Sequence, residues 1–222
     1  MVENPTQVGY RFRPAHCQML RRSFIVALAL SAFGFASCRG QDNYQEEADS
    51  LARLLNWKSG NVVADIGAGD GQMALATAQH VGAAGKVYAT ELDAKKLARL
   101  GELAAKDKAI TVLKAAETGT NLPPECCDSI FMRLVYHHLT SPAEIDASLS
   151  RSLKPGGLLA VIDQEPRSGS SVPEGVPKNR GGHGIPQKLL IDELTAAGFQ
   201  IVTTRDDWPN HRYCVVFRKP GL

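Results

Sequence analysis

In Asp65-Ile66-Gly67-Ala68-Gly69-Asp70-Gly71, residue type and spacing speak most directly of chemistry. Glycines let a backbone bend sharply and let a ligand approach without meeting a Cβ. The spacing is GxGxG, not the GxGxxG of dinucleotide-binding loops. An acid, Asp65, stands in front of it. A carboxylate in that place repels a diphosphate and attracts a ligand with cationic groups. Glu91 follows 20 residues after Gly71, and a carboxylate there can accept two hydrogen bonds from vicinal hydroxyls. Two stretches further on hold histidines, Tyr136-His137-His138 and Gly181-Gly182-His183-Gly184. Imidazoles suit proton transfer near neutrality, so His137 and His183 are the candidate bases, with His138 behind them. Asp163, Glu165 and His183 could meet around a metal, but their spacing does not demand it. The five cysteines, Cys17, Cys38, Cys126, Cys127 and Cys214, form no CxxC pair. No metal site is therefore expected.

These residues need a scaffold, and from residue 40 onward the chain alternates strand and helix. Tyr44 to Asn56 carries Ala48, Leu51, Leu54 and Leu55 on one helical stripe. Strands are expected at Val62–Ile66, Lys86–Thr90, Ile110–Leu113, Asp128–Met132 and Leu158–Asp163, with helices at Gln72–Val81 and Ala94–Ala105 between the first three. Ser141-Pro142-Ala143-Glu144 reads as a helix start, with Ser as N-cap, Pro at the first helical position and Glu closing a capping box. That helix is expected to stop at Pro155-Gly156-Gly157. A last helix spans Pro186 to Ala197 and meets Gly198. Phe199–Thr204 and Tyr213–Phe217 are the final strands, too close together for a crossover helix, so they should pair antiparallel. The pattern is α/β: a doubly wound, mostly parallel, seven-stranded sheet ending in an antiparallel hairpin. Such sheets bind ligands beyond the carboxyl ends of their strands, where the glycine loop begins. The Gly-, Ser- and Pro-rich stretch from Pro166 to Pro186 holds Arg167, Lys178, Arg180 and His183. A loop that long suits a lid over a bound molecule.

Val62 to Gly71, Glu91 and Leu153-Lys154-Pro155-Gly156-Gly157, in that order at successive strand ends, resemble the class I S-adenosylmethionine-dependent methyltransferases. The resemblance covers about residues 44 to 218. It implies S-adenosyl-L-methionine as cofactor, in line with the charge argument, since that molecule carries an ammonium and a sulfonium. By similarity, Gly67 and Gly69 lie against the methionine and ribose parts, Asp65 near the amino group, and Glu91 on the ribose. Glu117 is the nearest acid for the adenine position. Arg133 stands where the family often has Asn or Asp; it could pair with the methionine carboxylate or with an anionic acceptor. A NAD-dependent oxidoreductase is disfavoured by the glycine spacing and by Asp65.

The chain has 222 residues, 44% of them hydrophobic, and a formal net charge of +2, enough for one domain with a short appendage. Residues 1–38 read as a leader and 39–222 as the cofactor-binding domain. Residues 24–36 form an apolar run behind Arg21-Arg22, too short for a membrane span of roughly 20 residues and patterned like a secretory signal. Met19 reads as the true start. Arg21-Arg22-Ser23-Phe24-Ile25 is similar to a twin-arginine export signal, and Ala36-Ser37-Cys38 to the end of a lipobox with a lipidated cysteine. A working leader implies the cell envelope; otherwise the protein is cytoplasmic. Arg11, Arg13, Arg21, Arg22 and a single acid, Glu3, lie in the leader, so the slight positive charge belongs there. No basic stripe marks a nucleic-acid partner. Contact with a membrane is expected only through the leader or Cys38. The expected acceptor is a small molecule, because no added recognition domain is present. Two readings stand: a methyltransferase, or a catalytically inactive methyltransferase-fold binding module of the envelope. The cofactor is made in the cytosol, which sets an exported enzyme against its supply.

Overall fold

The structure, a computed structural model, describes residues 43–221. The expected leader, Met19, the twin arginines and Cys38 lie outside the described residues. Seven strands form one sheet: β1 (Val62–Ile66), β2 (Lys86–Glu91), β3 (Ile110–Lys114), β4 (Cys127–Arg133), β5 (Leu153–Asp163), β6 (Gln200–Trp208) and β7 (Arg212–Arg218). Their order is β3-β2-β1-β4-β5-β7-β6. The β1–β2, β2–β3, β1–β4 and β4–β5 pairs are parallel; β5–β7 and β6–β7 are antiparallel. This is the doubly wound α/β sheet with a terminal hairpin that the alternation of elements implies. Five helices cover it: α1 (Tyr44–Leu54), α2 (Gln72–Val81), α3 (Ala94–Ala104), α4 (Pro142–Ser152) and α5 (Gln187–Ala196).

The central strands are buried on both faces, which is why they read as continuous apolar runs. Successive residues feed opposite cores. Val63, Phe131, Ala160 and Val216 join one hydrophobic cluster, which includes Ala48, Leu51, Ala74 and Leu100 of α1 to α3. Ala64, Ile130, Leu159 and Val215 join the other, with Ile145, Leu149, Leu190 and Leu194 of α4 and α5. Among the described residues no helix is long and apolar enough to cross a membrane.

Two local expectations are corrected. Ser141 precedes α4, but its side chain makes no capping hydrogen bond, so the fixed φ of Pro142 is what sets the helix start. Pro155-Gly156-Gly157 is not a turn ahead of β5: the strand already begins at Leu153, which pairs with Cys127 before the register shifts. Gly156 has φ +76° and donates its backbone N–H to Lys219 O at 3.0 Å, so the stretch is an irregular strand entry. Cys126 and Cys127 are free thiols, the second buried.

Candidate functional site

The carboxyl ends of β1, β2 and β4 open onto a cavity of about 1010 Å³. Asp65, Gly67, Gly69, Glu91, Glu117 and Arg133 all line it. They come from four different strand ends, which the sheet order alone brings together.

The glycine loop joins β1 to α2. Gly67 has φ +70°, and a Cβ there would stand 2.6 Å from a Val135 methyl. Gly69 has φ +59° with open space where a Cβ would be. One glycine is thus required by packing, and both by the left-handed backbone. Asp65 is 2% exposed. Its Oδ2 is buried and has no hydrogen-bond partner among the described residues. Burial pushes its carboxyl up to about 8; the Arg133 guanidinium opposes the rise and the Glu91 carboxylate adds to it. A buried acid with one unsatisfied oxygen is a costly feature unless something cationic or hydrogen-bonding completes it.

Glu91 ends β2 and is held firmly. Its Oε2 accepts from Gly69 N–H at 3.0 Å; its Oε1 accepts from Leu92 N–H at 2.7 Å and Asp93 N–H at 3.2 Å. Each carboxylate oxygen has two lone-pair sites, so the group keeps capacity toward the cavity while its direction is fixed. Asp93 caps α3 by accepting from the N–H groups of Lys95 and Lys96. Arg133 donates from Nε to Glu47 Oε2 at 2.8 Å and lies 5.0 Å from the Tyr44 ring centre. Glu47 is buried, also accepts from Trp208 Nε1 at 2.8 Å, and sits 3.9 Å from Arg212. Tyr44 lines the cavity as well. The sequence reading treated Tyr44 and Glu47 only as part of a helix; an acid on the buried stripe of α1 was the signal for a hidden cation partner.

The other wall comes from the end of β4, the residues that follow it and the long loop. His138 lines the cavity, together with Thr140, Glu174 and Gly175. The two bases expected from the sequence do not: His137 and His183 lie outside the lining. His137 is 4% exposed, and its Nδ1 faces Asp163 Oδ1 at 2.8 Å. Asp163 is fully buried and also accepts from the backbone N–H groups of His137 and Gln164. His183 is exposed and has φ +44°. The imidazole of His138 is held below its ordinary range by partial burial, reinforced by His137. Ring centres of His137 and His138 lie 4.1 Å apart, and those of His138 and His183 6.2 Å apart.

Arg180, placed by the sequence reading on a lid, is fully buried instead. It donates to Tyr136 O at 3.1 Å and pairs with Glu193 of α5. Tyr136 donates its hydroxyl to Asp146 and Glu193. Burial pushes the Asp146 carboxyl up to about 7, with the Tyr136 hydroxyl opposing and Glu193 adding to the rise. The loop is thereby pinned at its middle, and the segment before the pin reaches the cavity through Glu174 and Gly175.

Comparison with known proteins agrees with this geometry. Residues 64–161 match the family model described as a methyltransferase domain. That span holds the glycine loop, Glu91, Glu117, Arg133, His137 and His138, and stops short of His183. A S-adenosylmethionine-dependent methyltransferase from Aquifex aeolicus is 27% identical, with a TM-score of 0.66, over 80% of this chain and 93% of that one. The [4+2]-cyclase SpnF shares the fold at 18% identity and a TM-score of 0.65, over 80% of this chain and 82% of that one. The CurJ carbon methyltransferase shares it at 16% identity and a TM-score of 0.66, over 80% of this chain and 54% of that one. No curated protein matches the chain. Residues 64–161 are thus similar to a methyltransferase domain, and S-adenosylmethionine is the cofactor that these similarities imply.

Proposed function

We propose that the protein transfers the methyl group of S-adenosylmethionine to a small-molecule acceptor. The observation that carries this reading is the buried, unpartnered Asp65 oxygen beside a glycine bend with no Cβ in the way. When bound, the cofactor supplies a methyl group activated on a sulfonium. Asp65 is suited to hold a cationic ammonium, which would satisfy its orphaned oxygen and favour its ionised form. Glu91, steered by three backbone N–H groups, keeps an acceptor site on Oε2 and is suited to a ribose hydroxyl. Glu117 lines the far side and suits a base amine. Arg133 is oriented by Glu47 and faces the carboxylate end.

Methyl transfer from sulfur is a displacement in which alignment supplies much of the rate. A base is required only where the acceptor atom carries a high-pKa proton. On the acceptor side, His138 stands in the cavity wall, backed by the His137–Asp163 pair and flanked by His183. The residues suited to proton exchange with an acceptor are His138, in the cavity wall, and His183 beside it, with His137 positioned as their support. The leader is proposed to direct the chain to the cell envelope, and amino-terminal mass spectrometry of native protein tests that: an intact residue 1 or 19 places it in the cytosol.

The test of the activity has two parts. Calorimetry should show S-adenosylhomocysteine binding with one site, and no binding with NAD. Incubation with methyl-labelled S-adenosylmethionine and a small-molecule cell extract should then transfer label to a low-mass product. Binding of NAD in place of the homocysteine compound overturns the cofactor assignment. Label found only on protein or nucleic acid overturns the acceptor class.

A further inference from the structure

His138 of the cavity wall and its neighbours His137 and His183 offer one ring nitrogen each, and these atoms lie within 4.8 Å of one another. Sequence gives no hint of this, because His183 is 45 residues from His138 and no ligand spacing joins them. We propose that His137, His138 and His183 form a binding site for a divalent transition-metal ion of the zinc type, at the edge of the cofactor cavity.

The cluster has the parts that such a site needs. Three neutral imidazoles are a donor set for zinc that leaves a fourth position for water or a substrate atom. Metal-bound histidines commonly give their second ring nitrogen to a carboxylate, which fixes tautomer and ring orientation. His137 has that partner: Nδ1 engages the fully buried Asp163, so Nε2 keeps the lone pair. Asp163 is itself anchored by two backbone N–H groups, so it cannot swing away.

His183 is brought in at a structural cost. It holds φ +44°, which a non-glycine residue adopts only when its surroundings insist. A Cβ on Gly182 would fall 2.0 Å from Ser170 O, and one on Gly184 2.6 Å from Glu165 O. The neighbours of His183 therefore have to be glycine for the loop to lie against the end of β5. Arg167 N–H donates to Gly182 O at 3.0 Å, Ile185 N–H to Gln164 O at 2.9 Å, and Gln164 Nε2 to His183 O at 2.6 Å. Every bond in this set fixes the backbone, and the ring of His183 is left exposed next to two others. A loop whose task is packing would turn such a side chain into the core, as this loop does with Arg180.

Tetrahedral zinc with nitrogen at about 2.0–2.1 Å separates its ligands by roughly 3.3 Å. The proposed site therefore requires the two exposed rings, His138 and His183, to rotate toward the buried His137. His138 belongs to the cluster and to the cavity wall alike. A metal there stands beside the acceptor space, where its open position would take an oxygen or nitrogen lone pair. That last role, resting on the proposed methyl transfer, narrows the acceptor to small molecules with a metal-binding heteroatom.

Metal titration of the full-length, chelator-stripped protein tests the site with no turnover involved. Cobalt(II), the spectroscopic stand-in, should bind once per chain, give visible d–d absorption without a thiolate charge-transfer band, and be displaced by zinc. His138→Ala and His183→Asn (Asn tolerates a left-handed backbone) should each weaken binding at least about tenfold, and Asp163→Asn by about 10–100-fold. His80→Ala should leave it unchanged. Absence of saturable binding overturns the proposal, as does binding that survives the His138→Ala/His183→Asn double variant or that shows thiolate absorption. Calorimetry with S-adenosylhomocysteine in the presence of chelator separates this outcome from the cofactor assignment. Affinity retained there while cobalt fails to bind sinks the metal site alone.

Discussion

The wall of the cavity built from β1 and β2 is made by neighbours in sequence, whereas the wall built from the end of β4, the residues after it and the long loop is made by strangers. On the first, Asp65, Gly67 and Gly69 lie within one turn, and Glu91 is tied back to Gly69 by a backbone hydrogen bond. Behind the second, Tyr136, Asp146, Arg180 and Glu193 come from four separate segments and depend on one another for charge and hydrogen bonds. The first wall is shaped by backbone geometry, with Glu91 held by three backbone N–H groups. The second is held by a buried guanidinium whose partners must all be present. Recognition of a common cofactor suits the first construction, and selection among acceptors suits the second.

The sharpest way to break this contrast is Glu193→Ala. Removing one partner of a buried ion pair leaves an uncompensated charge, and the expected loss is about 3 kcal/mol, the lower end of the usual range because Glu193 is partly exposed. Urea unfolding measures it. S-adenosylhomocysteine affinity of the folded variant should stay unchanged; a parallel loss would show that the two walls act as one unit. Glu91→Ala should do the reverse, weakening that affinity by about 1–3 kcal/mol, the range for losing a charged hydrogen-bond partner. Calorimetry reporting an unaltered constant would move the ribose contact to another residue.

Proton linkage sharpens the comparison further. Asp65, at about 8, is mostly protonated at neutral pH. A cationic ligand stabilises the carboxylate, so binding should release up to about one proton and tighten as pH rises from about 6 toward 8. The release appears as a dependence of binding heat on buffer ionisation enthalpy, and Asp65→Asn should abolish it. Asp146, at about 7, belongs to the other wall. Both acids hold their protons more tightly folded than unfolded. Their stabilising contribution is therefore full below the unfolded value near 3.8 and is lost as pH climbs through about 7 and about 8. The melting temperature of ligand-free protein should fall over that window, and Asp146→Asn should flatten the lower part of the fall in ligand-free and ligand-bound protein alike. The smallest effect belongs to His183→Asn: an exposed side chain whose ring contact is with the equally exposed His138 should change stability by no more than about 0.5 kcal/mol. A larger loss in thermal unfolding would make it a packing residue.

What could be read in the sequence follows the same divide. The strands Val62–Ile66 and Lys86–Glu91, the glycine bend and the acid after β2 are local patterns, so period and spacing carried them. The antiparallel end of the sheet followed from the short gap between β6 and β7. Convergence of His183 on His138 depends on a loop path that no periodicity encodes. The inward turn of Arg180 depends on Glu193 and on the Tyr136 carbonyl, distant partners that composition does not reveal. Ser141 shows the opposite error: a capping pattern present in sequence and unused in space, because Pro142 already sets the backbone.

The position of β7 has a consequence for how the molecule is made. It is the last strand to be synthesised, yet it lies inside the sheet, between β5 and β6. Until it emerges from the ribosome, β6 has nothing to join and the edge of β5 is bare. A nascent chain can finish its first wall early, but the whole sheet closes only once Arg212–Arg218 has been made. A chain clipped just before Arg212 would leave β6 unattached, because β7 is the strand it pairs with.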